Sequence, residues 1–260
     1  LWLKDRQKLN FIQSGHGHLD QPTVFEWLSV FSAPKNFAAV LGSTVEFSFS
    51  PIEHLHFFKQ YQMPFFAIQI QESEWEIAIK LLTKMGLTCA AVTAPLKKIA
   101  FEYAEKKSDL CNELKSANTL TWLNQICFAE NTDLDGLKEL LNSVDLGSPV
   151  FIWGGGGTLP VIQKLLPEAI QYSVRTQRPR TESSNSNQLP EAVIWAAAPD
   201  AAFPPTDWNP KLVIDLNYRE DSKAKEYCQM TGARYISGLY MFKTQAQVQR
   251  NIWSKLNAGK

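Results

Sequence analysis

Residues 148–166 read SPVFIWGGGGTLPVIQKLL: an apolar segment, four consecutive glycines and an amphipathic segment. The first part has the composition of a buried strand, and the last part has the spacing of a helix. Backbone amides reach a phosphate only where no side chain blocks them, and a helix starting at the turn adds its dipole. The pattern is therefore typical of dinucleotide-binding folds, with a ligand-free glycine turn as the alternative. It is not a Walker A loop, because the GK[ST] ending is absent.

Basic residues follow the next apolar segment, AIQYSV at 169–174. At this position, folds that bind NAD usually carry an acid for the ribose hydroxyls. Here Arg175, Arg178 and Arg180 are cations that could hold a phosphate, and Thr176 adds a hydroxyl donor. The pattern favours a 2′-phosphorylated dinucleotide, NADP, as the cofactor. A solvated basic loop is the alternative, because residues 175–191 are polar and rich in Ser and Asn.

Strand and helix signals alternate along most of the chain. Strands are expected at 36–43, 64–70, 87–93, 117–122, 125–130, 148–153, 169–174, 192–199, 211–218 and 233–237. Helices are expected at 50–63, 73–86 (opened by a Ser73–Glu76 capping box), 95–107, 133–141, 158–166, 222–232 and 243–257. This alternation predicts the α/β class with largely parallel sheets.

Two lobes follow a leading segment in the organisation that we expect. Residues 1–35 form the leading segment, and residues 36–137 with 243–260 form an α/β lobe that binds substrate. Residues 138–242 form a Rossmann-like lobe that binds the cofactor, and the C-terminal helix returns to the first lobe. The site is expected at the carboxyl ends of the strands.

Composition excludes several classes of function. The chain has 26 Lys plus Arg and 26 Asp plus Glu in 260 residues, so no global field attracts nucleic acid or an anionic membrane. It has no apolar run of about 18 residues that would span a membrane. Its four cysteines form no CxxC pair, which suits a reducing cytoplasm and no zinc. The pair His16 and His18 lacks a third ligand nearby, so no metal site is predicted.

Two acids stand one residue apart in AENTDLDGLKELL, residues 129–141. Asn131, Thr132 and Asp133 are good N-cap residues, and acids are favoured in the first turn of a helix. On this segment alone, the capping role of Asp133 and Asp135 is favoured over a role as a reagent.

Lys97 conflicts with its expected position in VTAPLKK, because the N-terminal turn of a helix disfavours a cation. This conflict makes Lys97 a candidate proton donor to a carbonyl oxygen, with Lys98 expected to be a solvated neighbour. In the earlier segment SFSP, Ser48 and Ser50 offer two hydroxyls suited to a carboxylate. Ordinary loop and N-cap roles before Pro51 are the alternative for these serines.

Taken in order, these segments resemble the motifs of the shikimate dehydrogenase family over residues 38–255. SFSP, AVTAPLK, ANT and NTDLDG correspond to the family's SxSP, NVTxPxK, NT and NTDxxG. GGGG and VRT correspond to GAGG and NRT, and the family's C-terminal glycine, Met and Gln recur in GLYMFKTQA at 238–246. The resemblance implies NADP-dependent reversible reduction of 3-dehydroshikimate to shikimate in aromatic amino-acid biosynthesis.

The family's residue roles carry over to matching positions of this chain. The resemblance implies that Lys97 and Asp133, rather than Asp135, are the catalytic pair. It implies that substrate is bound by Ser48, Ser50, Thr93, Asn118, Tyr218 and Gln245. It implies that the cofactor is bound by Gly154, Gly155, Gly156, Gly157, Thr158, Arg175, Thr176, Arg178, Gly238 and Met241.

Most departures from the family pattern fall on the cofactor side. The Asn of NRT is Val174, and Ala196 and Ala198 replace polar residues of an NATP-like segment. On the substrate side, Phe47 and Ala91 replace a His and an Asn of the motifs. Two alternatives therefore remain: a dehydrogenase that prefers quinate, and a non-catalytic domain with weakened cofactor binding. The leading segment is also compatible with the exit from a fused dehydroquinase domain.

Overall fold

The computed structural model describes residues 35–46, 48–180 and 188–257. It divides into two compact units: residues up to Asn131 together with those from Ala246 onward, and Thr132–Gln245. The first division follows Asn131, before the helix that starts at Asp133, whereas the expected boundary at 137 lies in the middle of that helix. The reason is that this helix packs on a helix of the second unit. His16, His18 and the predicted exit from a fused domain lie outside the described residues.

A mixed sheet is the centre of the first unit. Its strands are β1 Phe37–Gly42, β2 Phe65–Gln69, β3 Leu87–Val92, β4 Lys106–Lys107, β5 Thr119–Leu123 and β6 Ile126–Glu130. Within the described residues the order of these six strands is β2-β1-β3-β5-β6-β4. β1 is parallel to β2 and β3, whereas β5 is antiparallel to β3 and β6. The carboxyl ends of β1 and β3 therefore meet the amino end of β5 at one edge.

In the described part of the first unit, four helices follow these strands. They are α1 Ser50–Gln60, α2 Trp75–Lys84, α3 Lys97–Tyr103 and α4 Asp109–Leu114. The predicted hairpin at 117–130 is confirmed. Its turn residues Asn124 and Gln125 have φ of 51° and 68°, the left-handed conformation that a tight hairpin turn requires.

Three local expectations in the first unit are wrong. The helix predicted to reach 107 ends at Tyr103, because Lys106–Lys107 pair in parallel with β6. Helix α4 was not expected. Ser108 is its N-cap residue, because the Ser108 hydroxyl accepts a hydrogen bond from the amide of Cys111 at 3.2 Å. The capping box before α2 is formed by Gln71 and Glu74, in a short 3₁₀ turn, rather than by Ser73 and Glu76.

An aromatic cluster between β2, α1 and the C-terminal helix encloses His54. The His54 side chain is fully buried, and its ring centroid lies 5.2 Å from that of Phe65 and 5.1 Å from that of Trp253. Among the described residues, neither ring nitrogen has a hydrogen-bond partner of normal geometry. Burial, reinforced by the nearby Arg250 and partly opposed by the Gln249 side chain, lowers the pKa of His54 from 6.5 to about 3.

We expect this histidine to make the protein sensitive to acid. Between pH 6.5 and about pH 3 the unfolded chain takes up a proton that folded His54 does not, so stability falls as pH falls. By about pH 5 the free energy of unfolding should drop by about 2 kcal/mol from this residue. Urea unfolding at about pH 7.5 and pH 5 measures it. His54→Leu should remove this part of the pH dependence, whereas His56→Leu, at an exposed position, should leave it. Equal pH dependence in all three proteins would contradict the assignment.

A parallel sheet is the centre of the second unit. Its strands are β7 Val150–Gly154, β8 Ile170–Tyr172, β9 Ala192–Ala196, β10 Leu212–Asp215 and β11 Arg234–Ser237. In the described chain, these five strands have the order β11-β10-β9-β7-β8, and every pair is parallel. The direction of winding reverses between β7 and β9. At such a switch point, open α/β sheets bind ligands outside the carboxyl ends of the strands. The predicted α/β class and Rossmann-like lobe are confirmed.

Four further helices complete the described chain: α5 Asp133–Asn142, α6 Leu159–Leu165, α7 Lys223–Thr231 and α8 Leu239–Asn257. α8 starts four residues before the expected helix at 243. Its residues from Ala246 onward belong to the first unit, where the Trp253 indole donates to the Leu120 carbonyl at 3.3 Å. Its earlier residues belong to the second unit and include two predicted site residues, Met241 and Gln245.

No helix among the described residues is both long and apolar enough to cross a membrane. The four cysteines are unpaired and buried: Cys89, Cys111, Cys127 and Cys228. Burial raises the pKa of Cys228 to about 11, so its thiol stays protonated at neutral pH. The cysteines therefore act as small core residues; for Cys89 and Cys127 the apolar segments around them in the sequence predict this position.

Candidate active site

Five predicted site residues lie at one edge of the sheet in the first unit: Ser48, Ser50, Thr93, Lys97 and Asn118. The serines lie in the segment that follows β1, and Thr93 directly follows β3. The Thr93 amide donates to the Leu41 carbonyl at 2.9 Å, which ties the end of β3 to β1. A Cβ on Gly42 would lie 2.3 Å from Cγ2 of Thr93, so a glycine permits this close approach.

Backbone hydrogen bonds join Lys97 to the segment that carries Asn118. The amide of Ala117 donates to the Lys97 carbonyl at 2.9 Å, and the amide of Val92 donates to the Asn118 carbonyl at 2.8 Å. Both bonds involve main-chain atoms alone, so they fix the start of α3 beside β5 whatever the side chains are. The structure thus brings the predicted proton donor and a predicted substrate-binding amide to one place.

The two adjacent lysines of α3 have different surroundings. Lys97 is the first residue of α3 and is half-buried. The Lys98 side chain is 77% exposed, and its Nζ lies 3.8 Å from a carboxylate oxygen of Glu102, four residues along the helix. Such an exposed pair contributes little to stability. Lys98 is therefore the solvated neighbour predicted from the sequence.

Ser48 and Ser50 also have a local structural role. The Ser48 hydroxyl accepts the amide of Ser50 at 3.2 Å just before α1. The N-cap of this helix is Phe49, without a side-chain capping bond, so neither serine is the N-cap. Ser50 is buried and Ser48 is half-buried. The arrangement holds the two hydroxyl-bearing residues close together at the sheet edge.

Gln249 is a positioning residue that the sequence reasoning missed. Its buried Nε2 donates to the Asn118 carbonyl at 3.1 Å and to the Thr119 hydroxyl at 3.0 Å. That hydroxyl donates to Oδ1 of Asn118 at 2.9 Å, so the chain of bonds orients the Asn118 amide. The sequence signal is a glutamine on the buried face of the closing helix, between Ala246 and Trp253.

The structure separates the two acids of the segment 129–141. Asp133 is the first residue of α5 and is 1% exposed, whereas Asp135 is exposed. Thr132 is the N-cap residue and makes no side-chain capping bond. Burial of a carboxylate requires partners, and a solvated capping role does not require burial. The environment of Asp133 therefore favours a specific function for this acid.

Gly136 brings α5 against the start of α8 within the second unit. A Cβ on Gly136 would lie 2.5 Å from the Met241 carbonyl oxygen and 3.2 Å from Cβ of Gln245. Because the first of these is a backbone atom, no larger residue fits without moving one of the helices. The close approach places the predicted residues Met241 and Gln245 beside the turn of α5 that begins with Asp133.

The segment after β10 positions Tyr218 and Gly238. Buried Asp215 accepts hydrogen bonds from the Asn217 amide at 2.9 Å, the Asn217 side chain at 2.8 Å and the Tyr235 hydroxyl at 3.1 Å. Burial raises the pKa of Asp215, and these hydrogen bonds oppose that change. The Gly238 amide donates to the Asn217 carbonyl at 3.1 Å. Gly238 thus lies next to the turn that carries Tyr218.

A cavity of about 580 Å³ opens at the glycine turn of the second unit. Its described lining includes Gly154, Gly155 and Gly156 after β7, and Gln171 and Ser173 of the neighbouring strand and turn. Gly154 and Gly156 have φ of 96° and 65°, which glycine adopts without strain. The predicted residues Gly157 and Thr158 belong to the same turn but do not line the cavity.

A tight reversal after β8 determines which basic residues line this cavity. The Ser173 amide donates to the Arg178 carbonyl at 3.0 Å, and the Arg180 amide donates to the Gln171 carbonyl at 2.9 Å. Arg175 and Arg180 consequently line the cavity, whereas Arg178 and Thr176 do not. None of the described lining residues is acidic. The cavity suits a phosphorylated ligand, with two of the three arginines predicted for a phosphate, Arg175 and Arg180, in its lining.

Comparison with known proteins gives one consistent family. Residues 40–120 match the family model described as the shikimate dehydrogenase substrate binding domain. The chain is 30% identical over 155 residues to "Shikimate dehydrogenase (NADP(+))" of Roseobacter denitrificans, covering 56% of each chain. It thus spans about half the length of the curated relatives it matches first.

Two further similarities concern a multifunctional protein and a solved structure. The chain is 24% identical to part of the "Pentafunctional AROM polypeptide" of Yarrowia lipolytica, covering 85% of this chain and 17% of that protein. The crystal structure of Shikimate Dehydrogenase 1 from Peptoclostridium difficile has a TM-score of 0.72, with 18% identity, and covers 85% of this chain and 92% of that one. At this identity the structural likeness shows a shared fold.

Proposed function

We propose that this chain, which is similar to shikimate dehydrogenases in sequence and in fold, catalyses NADP-dependent reversible reduction of 3-dehydroshikimate to shikimate. The observation that carries the proposal is the grouping of Ser48, Ser50, Thr93, Lys97 and Asn118 at one edge of the first sheet. These residue types match what a hydroxylated ring acid needs: hydroxyl donors for its carboxylate, amide and hydroxyl groups for its ring hydroxyls, and a cation for its reacting oxygen.

Binding of the substrate is assigned to side-chain hydroxyl groups and to side-chain amide groups. Ser48 and Ser50 are assigned to the carboxylate, and Tyr218 is assigned to the same group. Thr93, Asn118 and Gln245 bind ring hydroxyls, and Gln249 keeps the Asn118 amide in its orientation. Two hydroxyls on one short segment can bind both oxygens of a carboxylate without carrying charge themselves.

Lys97 and Asp133 are assigned to the chemical step. When bound, NADPH supplies the hydride. Lys97 stabilises the negative charge that develops on the carbonyl oxygen and delivers a proton to it. Asp133 accepts a hydrogen bond from the substrate and keeps the reacting group oriented. In the oxidative direction Lys97 takes the proton back from the hydroxyl.

The cavity beside the glycine turn fits the dinucleotide. Glycine at 154–156 lets the backbone approach a pyrophosphate, and a Cβ on Gly155 would lie 2.9 Å from Nε2 of Gln171. Arg175 and Arg180 offer two guanidinium groups to the 2′-phosphate. Helix α6 has seven residues, so we assign phosphate binding to the turn amides and the arginines. Gly238 and Met241 are assigned to the nicotinamide side.

A spectrophotometric assay tests the proposal. The purified protein is supplied with shikimate or quinate and with NADP⁺ or NAD⁺, and the absorbance of the reduced nicotinamide is followed. We expect the highest kcat/KM for shikimate with NADP⁺. A higher value for quinate would assign the fold to quinate oxidation. Absence of turnover combined with absence of NADPH binding would favour a non-catalytic domain, the alternative that Val174, Ala196 and Ala198 motivate.

Fusion to a dehydroquinase domain and a cytoplasmic location belong to the same proposal. The similarity to a pentafunctional polypeptide supports the first, because that relative is a multifunctional chain. The four unpaired cysteines support the second, since thiols persist in a reducing compartment. Assays for both activities on the product of the complete natural gene test the fusion.

A further inference from the structure

The peptide group between Gly154 and Gly155 is held at both ends. Its carbonyl oxygen, that of Gly154, accepts a hydrogen bond from Nε2 of Gln171, on β8, at 2.8 Å. Its N–H donates to the Ala196 carbonyl, at the end of β9, at 3.1 Å. Because β7 lies between β8 and β9, each neighbouring strand supplies one of the two bonds.

A peptide between two glycines can rotate more easily than any other, since neither residue has a Cβ to oppose the change. Rotation of this peptide would break both hydrogen bonds and turn the carbonyl oxygen to a new direction. A carbonyl oxygen turned toward the cavity without a hydrogen-bond donor would repel a phosphate, because the oxygen has a partial negative charge and the phosphate is an anion. Gln171 therefore opposes a rearrangement that would spoil the cavity for an anion.

Gln171 supplies a polar side chain beside segments in which this chain has apolar residues where the family pattern has polar ones. Val174 has no polar group on the side chain, and neither do Ala196 and Ala198. On the β9 side, the glycine turn is therefore held by the backbone carbonyl of Ala196. On the β8 side, it is held by the side chain of Gln171. Asn217 performs a related task nearby, donating from Nδ2 to the Ala197 carbonyl at 3.1 Å.

We propose that Gln171 is a positioning residue for the pyrophosphate of the dinucleotide, because it fixes the Gly154–Gly155 peptide. This inference rests on the proposed function, since it requires that the cavity binds NADPH. Gln171 acts through the peptide plane rather than on the 2′-phosphate. Its effect should therefore be the same for NADPH and NADH, whereas Arg175 and Arg180 should distinguish the two.

The test is direct binding of NADPH and NADH to purified variants, by calorimetry or cofactor fluorescence. Gln171→Met keeps the length of the side chain without the donor, and Kd should rise about fivefold for both dinucleotides, the cost of one hydrogen bond. Gln171→Glu places an acceptor against the carbonyl, and Kd should rise more than about tenfold. Gln163→Met, at an exposed position on α6, is the matched control and should bind like the wild type.

Three outcomes distinguish this inference from the proposed function. If the wild type binds NADPH and both Gln171 variants bind within twofold of it, the positioning role is wrong and the proposed function stands. A weakening confined to NADPH would also overturn it, because that pattern belongs to a 2′-phosphate contact. Failure of the wild-type protein to bind NADPH would overturn the proposed function and this inference together. Thermal unfolding of each variant checks that the fold is retained, and the glutamate variant serves if the methionine variant unfolds.

Discussion

Replacing Lys97 with alanine is expected to lower kcat by at least about a hundredfold, the low end for groups that transfer a proton in the transition state. The variant should still fold, because the hydrogen bond that fixes the start of α3 is made by the Lys97 carbonyl, which the substitution keeps. The KM for shikimate should change less than kcat, since other residues bind the carboxylate and ring. Initial rates with saturating shikimate and NADP⁺ measure both constants.

Two further variants test whether Lys97 acts by its positive charge alone or also by transferring a proton. Lys97→Arg keeps a cation but holds its proton too tightly to transfer it, so kcat should stay far below that of the wild type. Lys98→Ala is the matched control, because the Lys98 side chain is exposed and its ion pair with Glu102 is long, at 3.8 Å. Its turnover should lie within about twofold of the wild type. Near-normal activity in Lys97→Ala, or equal losses in Lys97→Ala and Lys98→Ala, would contradict the assignment of Lys97.

Much of the fold follows from local sequence signals. The apolar segments at 36–43 and 148–153 become central strands because they can be buried on both faces, which requires a nearly continuous apolar run. Short polar elements are less predictable. Lys106–Lys107 has helical neighbours in sequence and becomes a strand only because β6 offers a pairing edge. That pairing is a tertiary interaction that no local pattern records.

The residue types of the candidate site were predictable, but several positions were not. The arginines after β8 predict a phosphate site, yet the turn decides which of them line the cavity. Gln177 adopts a φ of 54° there, and the reversal returns Arg180 to the cavity beside Gln171. A rule based on spacing along a strand assumes that the chain continues forward. Here the chain turns back, so that, of the three arginines expected to hold a phosphate, Arg175 and Arg180 line the cavity and Arg178 does not.

Asp133→Asn is expected to lower kcat by at least about a hundredfold, comparable to other acid–base groups. The amide has the volume of the carboxylate, so the buried position at the start of α5 remains filled. What is lost is the negative charge and one acceptor, which we assign to orienting the substrate. Initial-rate measurements with shikimate and NADP⁺, together with urea unfolding, give the effects on turnover and on stability separately.

Asp135→Asn is the control that decides between the two roles considered for this segment. Asp135 shares the first turn of α5 with Asp133 but is exposed, so its removal should cost at most about 1 kcal/mol of stability through the helix dipole. Its turnover should remain within about twofold of the wild type, because an exposed acid is already solvated and orients nothing. If both substitutions reduced stability slightly and left turnover unchanged, Asp133 would be only a capping residue. A loss of turnover confined to Asp133→Asn requires instead that the buried carboxylate takes part in the reaction.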